Sequence, residues 1–355
     1  MTKETDSRII IDRRLCDAGW DIANKLQVAT EEAAADGRAD YLLLDNRGRP
    51  LSVVEAKRFR TDPTTAKMRA EQYARSLKTP FIFLSNGEVT YFWDYERYPE
   101  RLVENFFSRG DLERLAALRH QRRALSIADI LKKAGFGSDE RDVRDYQQKC
   151  IQKVEAVLTQ NRRRLLIEMA TGSGKTFTIA LILKRLFEAG WAQRVLFLAD
   201  RIELARQAKE ETFDIYLHEY PSVLLTGGRR SREGQITVGT LPTITSQLGT
   251  GGFSPGYFDV VITDECHRSI YSTFKHTLLH FDAIHIGLPT SIHLRSIILS
   301  STLPTGTILI GPRGGFGGGV GGAGRGFVIT APVLGGGLVG SNLGSLNRSL
   351  LSVKS

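Results

Sequence analysis

Three cysteines in 355 residues are too few and too scattered to hold a fold together. Cys16, Cys150 and Cys266 show no metal-ligand spacing, which excludes a disulfide framework or zinc ribbon and leaves reduced, mostly buried thiols. No apolar run approaches the roughly 18 residues that a bilayer span requires. The opening segment MTKETDSRII lacks the apolar core of a secretory signal, so a cytoplasmic protein with no membrane attachment is expected. Acidic residues are absent after Asp282, although five basic ones follow: Arg295, Arg313, Arg325, Arg348 and Lys354. Setting those five aside lowers the formal net charge from +9 to +4, so bulk basicity is a poor argument for nucleic-acid binding. What remains is ordinary for a globular protein, with 41% hydrophobic and 25% charged residues. The length suggests two domains.

One stretch organises the chain: Met169-Ala170-Thr171-Gly172-Ser173-Gly174-Lys175-Thr176. The short apolar run Leu165-Leu166-Ile167 before it reads as a buried strand, and Phe177 to Phe187 after it has helical spacing. A strand, a glycine-rich turn and a helix make a phosphate-binding loop, in which backbone N–H groups and the helix N-terminus face the phosphates. Thr171, Gly172, Ser173 and Gly174 would cradle ATP, Lys175 would reach its β- and γ-phosphates, and Thr176 would ligate Mg²⁺. Met169 stands where the strict pattern has glycine, a departure usual in helicase-type ATPases. A second apolar strand, Phe258 to Ile262, delivers Asp264 and Glu265 at its C-terminal end, where ligands sit in open α/β sheets. Asp264 would hold Mg²⁺, Glu265 would polarise the attacking water, and His267 could link nucleotide state to the neighbouring domain. Gln147 could pair with the adenine edge; a polar helix residue is the alternative.

Upstream, Gly37 to Asp45 and Leu51 to Arg58 read as two strands joined by the turn Asn46-Arg47-Gly48-Arg49. Alternation puts Glu55 and Lys57 on one face, close to Asp40 across the ladder. An acid followed fifteen positions later by Glu-x-Lys is the constellation of metal-dependent nucleases. Asp40 and Glu55 would hold Mg²⁺ against the scissile phosphate, and Lys57 would orient water or stabilise the growing charge. A surface hairpin carrying a Glu and a Lys is the bland alternative. Lys67 to Leu77 is expected as a helix, Phe81 to Ser85 and Val89 to Trp93 as strands, and Ser108 to Glu140 as a helical connector. Arg122-Arg123, Lys132-Lys133 and Arg229, Arg230 and Arg232 are expected on solvated surfaces.

Asp264-Glu265-Cys266-His267-Arg268-Ser269 together with the phosphate loop resembles superfamily 2 helicases, in particular the motor (R) subunits of type I restriction endonucleases. Gly37-Arg38-Ala39-Asp40-Tyr41 and Val53-Val54-Glu55-Ala56-Lys57-Arg58 look like the nuclease core of the same subunits. Residues 199–208 resemble helicase motif Ia, and the likeness covers about residues 8–288. It implies an α/β protein: a restriction-endonuclease-like (PD-(D/E)xK) domain over 1–107, the connector over 108–140, and one RecA-like parallel-sheet ATPase domain over 141–287. It further implies ATP-driven translocation on double-stranded DNA and Mg²⁺-dependent cleavage, within a complex containing methyltransferase and specificity subunits.

The sequence departs from that family in three places. Arg69 stands four residues before Tyr73 where glutamine is frequent, and Pro242 stands where glutamine is common. After Ile286-Gly287-Leu288 the family continues Thr-Ala-Thr-Pro, but this chain reads Pro289-Thr290-Ser291. From Gly311 to Gly340 nearly half the residues are glycine, so residues 288–355 are expected to be a disordered tail, out of frame or naturally Gly-rich. On that reading the chain is a truncated R subunit that binds ATP, hydrolyses it very slowly and does not translocate. A repair-type DNA helicase with an accessory nuclease domain, a non-catalytic remnant docking on DNA or a methyltransferase, and a DEAD-box RNA helicase are the alternatives.

Overall fold

A computed structural model describes residues 4–34, 37–125, 133–134, 141–169, 172–226, 234–248, 252–264, 275–289, 308–312 and 327–330. The chain is mixed α/β, with two large sheets. The first is built from β1 (Val28–Ala34), β2 (Gly37–Leu44), β3 (Pro50–Ala56), β4 (Phe81–Ser85), β5 (Thr90–Trp93) and β6 (Arg101–Val103), in that spatial order. Helices α1 (Glu4–Asp17), α2 (Lys67–Leu77) and α3 (Arg109–Gln121) cover it. Successive strand residues serve opposite faces. Tyr41, Leu43, Phe81 and Phe83 meet Ile11, Leu15 and Leu112 on one side, while Leu42, Ile82 and Leu84 meet Ala70, Tyr73 and Ala74 of α2 on the other. Because β3 and β4 are parallel, they need the crossover that α2 supplies. The edge strand β1 carries Thr30, Glu31 and Glu32, a polar composition that disguises it in the sequence and blunts the sheet edge.

Among the described residues the expected connector is helical as far as Gln121. Where the helix was expected to continue, β7 (Lys133–Ala134) and β8 (Arg141–Asp142) pair antiparallel. Arg122 is half-buried rather than freely solvated: its guanidinium stacks 3.2 Å from the centroid of the Trp191 ring. Lys132 and Arg229, Arg230 and Arg232 lie outside the described residues.

The second sheet follows α4 (Asp145–Thr159) and comprises β9 (Arg164–Ile167), β10 (Val195–Ala199), β11 (Ser222–Leu224), β12 (Ile236–Thr240), β13 (Val260–Asp264), β14 (Ile284–Leu288), β15 (Ile308–Pro312) and β16 (Phe327–Thr330). Helices α5 (Lys175–Glu188) and α6 (Ile202–Ala208) flank its strands in the chain. Its order is β11-β12-β10-β13-β14-β9-β15-β16, parallel throughout except between β15 and β16. The short apolar runs Val195–Ala199 and Val260–Ile262 are fully buried, as parallel strands are when both faces are covered. Two segments beyond residue 288 depart from the expected disorder: Ile308–Pro312 pairs with β9, and Phe327–Thr330 pairs with Ile308–Pro312 in turn. Ile308-Leu309-Ile310 and Phe327-Val328-Ile329 are apolar, strand-forming runs within a Gly-rich background, and β9 offers them an open ladder.

A charged seam joins the two sheets at the N-terminal ends of β13, β14 and β9. Arg101 forks onto Asp282, its Nε donating to Oδ1 at 2.8 Å and its Nη2 to Oδ2 at 2.7 Å. Arg163 donates to the same carboxylate at 2.6 Å. Burial alone would push the Asp282 carboxyl up, but the two guanidiniums outweigh it and hold the group well below the usual carboxylate range. Arg114 of α3 pairs with buried Asp259, whose other oxygen accepts the Gln193 and Arg194 backbone N–H groups at 2.8 and 2.9 Å. Gly256 lies so close to the Phe107 ring that a Cβ there would meet it at 2.6 Å.

Candidate functional sites

The hairpin of β2 and β3 sets Tyr41 opposite Val54, so Asp40 and Glu55 come next along the ladder. Asp40 Oδ2 accepts the Ala56 backbone N–H at 2.8 Å, which ties the acid of one strand to the backbone beside the other. Lys57 Nζ donates to Glu55 Oε1 at 2.9 Å, and Arg69 Nε lies 4.0 Å from the same oxygen. Arg8 pairs with Asp40 from α1, which the Tyr41 hydroxyl secures by donating to Asp12 at 2.8 Å. Glu55 is 2% exposed, and burial, reinforced by the nearby charge of Asp40, outweighs Lys57 and raises its pKa. Its Oε2 is buried with no hydrogen-bond partner. A buried carboxylate oxygen without a donor is costly unless a cation completes it, so this pair fits a divalent ion. Among the described residues no three His, Cys, Asp or Glu side chains converge as a metal cage, so water or substrate oxygens would supply the remaining ligands.

In the phosphate loop, Gly172 and Gly174 adopt φ of +73° and +79°, a conformation that side chains resist. Lys175 opens α5 and Thr176 follows, both half-buried at the positive end of a 14-residue helix. Gln147, expected at the adenine edge, is 3% exposed and its carboxamide is engaged within the protein. Its Oε1 accepts the Arg144 backbone N–H at 3.1 Å, and its Nε2 donates to Thr178 Oγ1 at 3.2 Å. In this geometry Gln147 braces the start of α5. Tyr146, which the sequence did not single out, donates from its hydroxyl to the Ser173 carbonyl at 2.7 Å. Asp264 ends β13, whose C-terminal end shares an edge of the sheet with the loop after β9. Thr171, Glu265 and His267 lie outside the described residues.

Arg8 and Arg69 are further residues that sequence reasoning did not place beside the carboxylates. Arg69 donates to the Tyr73 hydroxyl one helical turn on, and this i, i+4 pairing was the available signal. Arg8 gave none, because its approach depends on how α1 packs. Cys150 is buried, and burial pushes its thiol up to about 12, whereas Cys16 is exposed, contrary to the expected burial. No helix among the described residues is long and apolar enough to cross a membrane.

A glycine-rich loop and a strand-end carboxylate on one edge of a parallel sheet give a helicase-like fold, here preceded by a separate α/β unit. Comparison with known proteins agrees in content and order. Residues 2–101 match the family described as type I restriction enzyme R protein N terminus, and residues 140–290 match type III restriction enzyme, res subunit. The type I restriction enzyme EcoAI endonuclease subunit of Escherichia coli is 29% identical over 77% of this chain and 37% of its own length. The EcoKI endonuclease subunit of Escherichia coli K12 is 22% identical over 83% of this chain and 33% of its own. A solved fragment described as an HsdR subunit of a type I restriction enzyme from Vibrio vulnificus YJ016 is 26% identical. It covers 81% of this chain and 55% of that one with a TM-score of 0.32, too low to carry a geometric argument. The chain is thus a relative of type I restriction enzyme R subunits with a helicase-like domain, and it spans about a third of the length of the curated relatives it matches.

Proposed function

We propose that this chain contributes a metal-dependent DNA-cleaving centre and an ATP site to a type I restriction complex. Residues 1–107 would form the nuclease domain, 108–140 the connector and 141–287 the ATPase domain. The observation that carries the reading is the Asp40–Glu55 pair with its orphaned buried oxygen, bonded to Lys57 and upstream of a phosphate loop on a parallel sheet. A divalent ion bound there would supply Lewis-acid stabilisation of charge on the scissile phosphate. Lys57, released from Glu55 Oε1, would orient water or the phosphate oxygen, while Arg8 would have to yield Asp40 Oδ1. At the other site Gly172–Lys175 would hold the phosphates, Thr176 and Asp264 would hold Mg²⁺, and Glu265 would polarise water. Double-stranded DNA is the substrate, and methyltransferase and specificity subunits are the partners; translocation belongs to the assembled complex.

The test separates the two sites. Supercoiled plasmid is incubated with the protein and Mg²⁺ or EDTA, and nucleotide affinity is measured with a fluorescent ATP analogue. Asp40→Ala and Lys57→Ala should each abolish Mg²⁺-dependent nicking and leave ATP affinity unchanged; Lys175→Ala should do the reverse to nucleotide binding. Nicking that persists in both nuclease variants would remove the assignment.

A further inference from the structure

Beside the seam, between β5, α3 and the start of β9, lies a cavity of about 90 Å³ whose wall carries five arginines (Arg97, Arg101, Arg119, Arg122 and Arg163) against three aspartates (Asp94, Asp259 and Asp282). Arg101 and Arg163 share the one carboxylate of Asp282, and Arg119 pairs with Asp94 and Glu96. Arg97 and Arg122 make no ion pair within 4.0 Å among the described residues; Asp94 lies near Arg97, whose Nη2 donates to the Arg119 carbonyl at 2.5 Å. Arg97 is half-buried, and burial, with the like charges of Arg122 and Arg119, lowers its pKa despite nearby Asp94. Arg122 is fixed by its stack on Trp191 and donates to the Tyr98 hydroxyl at 2.6 Å. That hydroxyl, having accepted from Arg122, still has its own proton to give.

We propose that this pocket binds a phosphate group, held by Arg97, Arg122 and the Tyr98 hydroxyl. Two half-buried guanidiniums that share no ion-paired carboxylate, beside one hydroxyl donor, suit a tetrahedral oxyanion. The volume corresponds to about three waters, enough for one such group and too small for a nucleotide. The site lies at the N-terminal ends of the strands, opposite the phosphate loop, and its wall draws on both sheets, so an occupant ties them together. The group is either inorganic phosphate or a phosphodiester of duplex DNA.

The experiment uses the full chain carrying Lys175→Ala, which silences the phosphate loop. Thermal unfolding is followed across a titration of inorganic phosphate against chloride at matched ionic strength. A saturable rise in Tm is expected. Arg97→Gln with Arg122→Gln should raise the half-saturating concentration by about tenfold or more, and Tyr98→Phe by about three- to tenfold. Tyr98→Phe removes one atom at a half-buried position and decides the matter if the arginine variant does not fold. Duplex DNA that displaces phosphate, with Arg97- and Arg122-dependent affinity, assigns the source to the DNA backbone; no displacement assigns it to the free ion. Absence of a saturable rise, or half-saturation unchanged in Tyr98→Phe and in the folded arginine variant, overturns the proposal.

Discussion

In the first sheet Asp40, Glu55 and Lys57 all come from one hairpin, and a single antiparallel register brings them together. In the second, Gly172–Thr176 and Asp264 come from β9 and β13, which are separated by β14 in space and by most of the domain in sequence. The first site is complete when a local unit folds; the second requires the whole parallel sheet. The two also carry their charge differently. The hairpin carboxylates are already matched by Arg8 and Lys57 at the cost of a buried, partly unsatisfied glutamate. The phosphate loop instead presents half-buried cationic and backbone donors suited to an incoming anion.

Breaking the seam tests whether the two regions depend on each other. Arg114→Ala leaves the buried Asp259 without its ion partner and should cost about 3–5 kcal/mol by urea denaturation. Mg²⁺-dependent nicking should survive in whatever fraction stays folded, because the hairpin does not use the seam; nicking lost in folded protein would contradict that independence. Acidification should weaken the second sheet selectively. Burial and the positive charge of Arg164 lower the pKa of His285, on β14, to about 4 from the usual 6.5. The unfolded chain then takes up a proton that the folded one refuses, so this stability is present above pH 6.5 and lost as pH falls towards 4. About 2 kcal/mol is expected for this half-buried ring, and His285→Asn should flatten the dependence.

Smaller effects sharpen the comparison at each site. Tyr146→Phe removes the hydroxyl donor from the Ser173 carbonyl and should weaken nucleotide affinity by about fivefold, a loss of about 1 kcal/mol, without touching cleavage. An unchanged affinity would mean that the loop needs no brace. Glu55→Gln should abolish nicking yet stabilise the protein by about 1 kcal/mol at neutral pH. The sign follows from the raised pKa: the folded state holds the Glu55 proton more tightly than the unfolded one, so ionisation at pH 7 opposes folding. Destabilisation on Glu55→Gln would show that the Lys57 ion pair outweighs burial.

Much of this was legible because the relevant physics is local. Short apolar runs bounded by turn residues identified β2 to β4, and the strand, glycine turn and helical spacing around Lys175 identified β9 and α5. What escaped depends on tertiary placement. Nothing near Arg8 in the sequence points to Asp40. Gln147 has the right chemistry for a base edge, but folding brings Thr178 and the Arg144 backbone to it first. The helix stops at Gln121, although the charged, leucine-punctuated sequence fits a longer one by composition, because Arg122 has a tryptophan to lie on. Strand β15 was hidden by the glycines around it, since pairing with a neighbouring edge can outweigh poor composition.

The partners in the seam are far apart along the chain: Arg101 and Asp282 are separated by 181 positions, Arg114 and Asp259 by 145. During synthesis the first sheet emerges with its own two cores complete and its guanidiniums still in water. They are desolvated only when the strands bearing Asp259 and Asp282 have been made and packed. Docking therefore waits for the strands that follow Asp259 and Asp282, and a nascent chain would hold the finished Asp40–Glu55 hairpin before the second sheet exists.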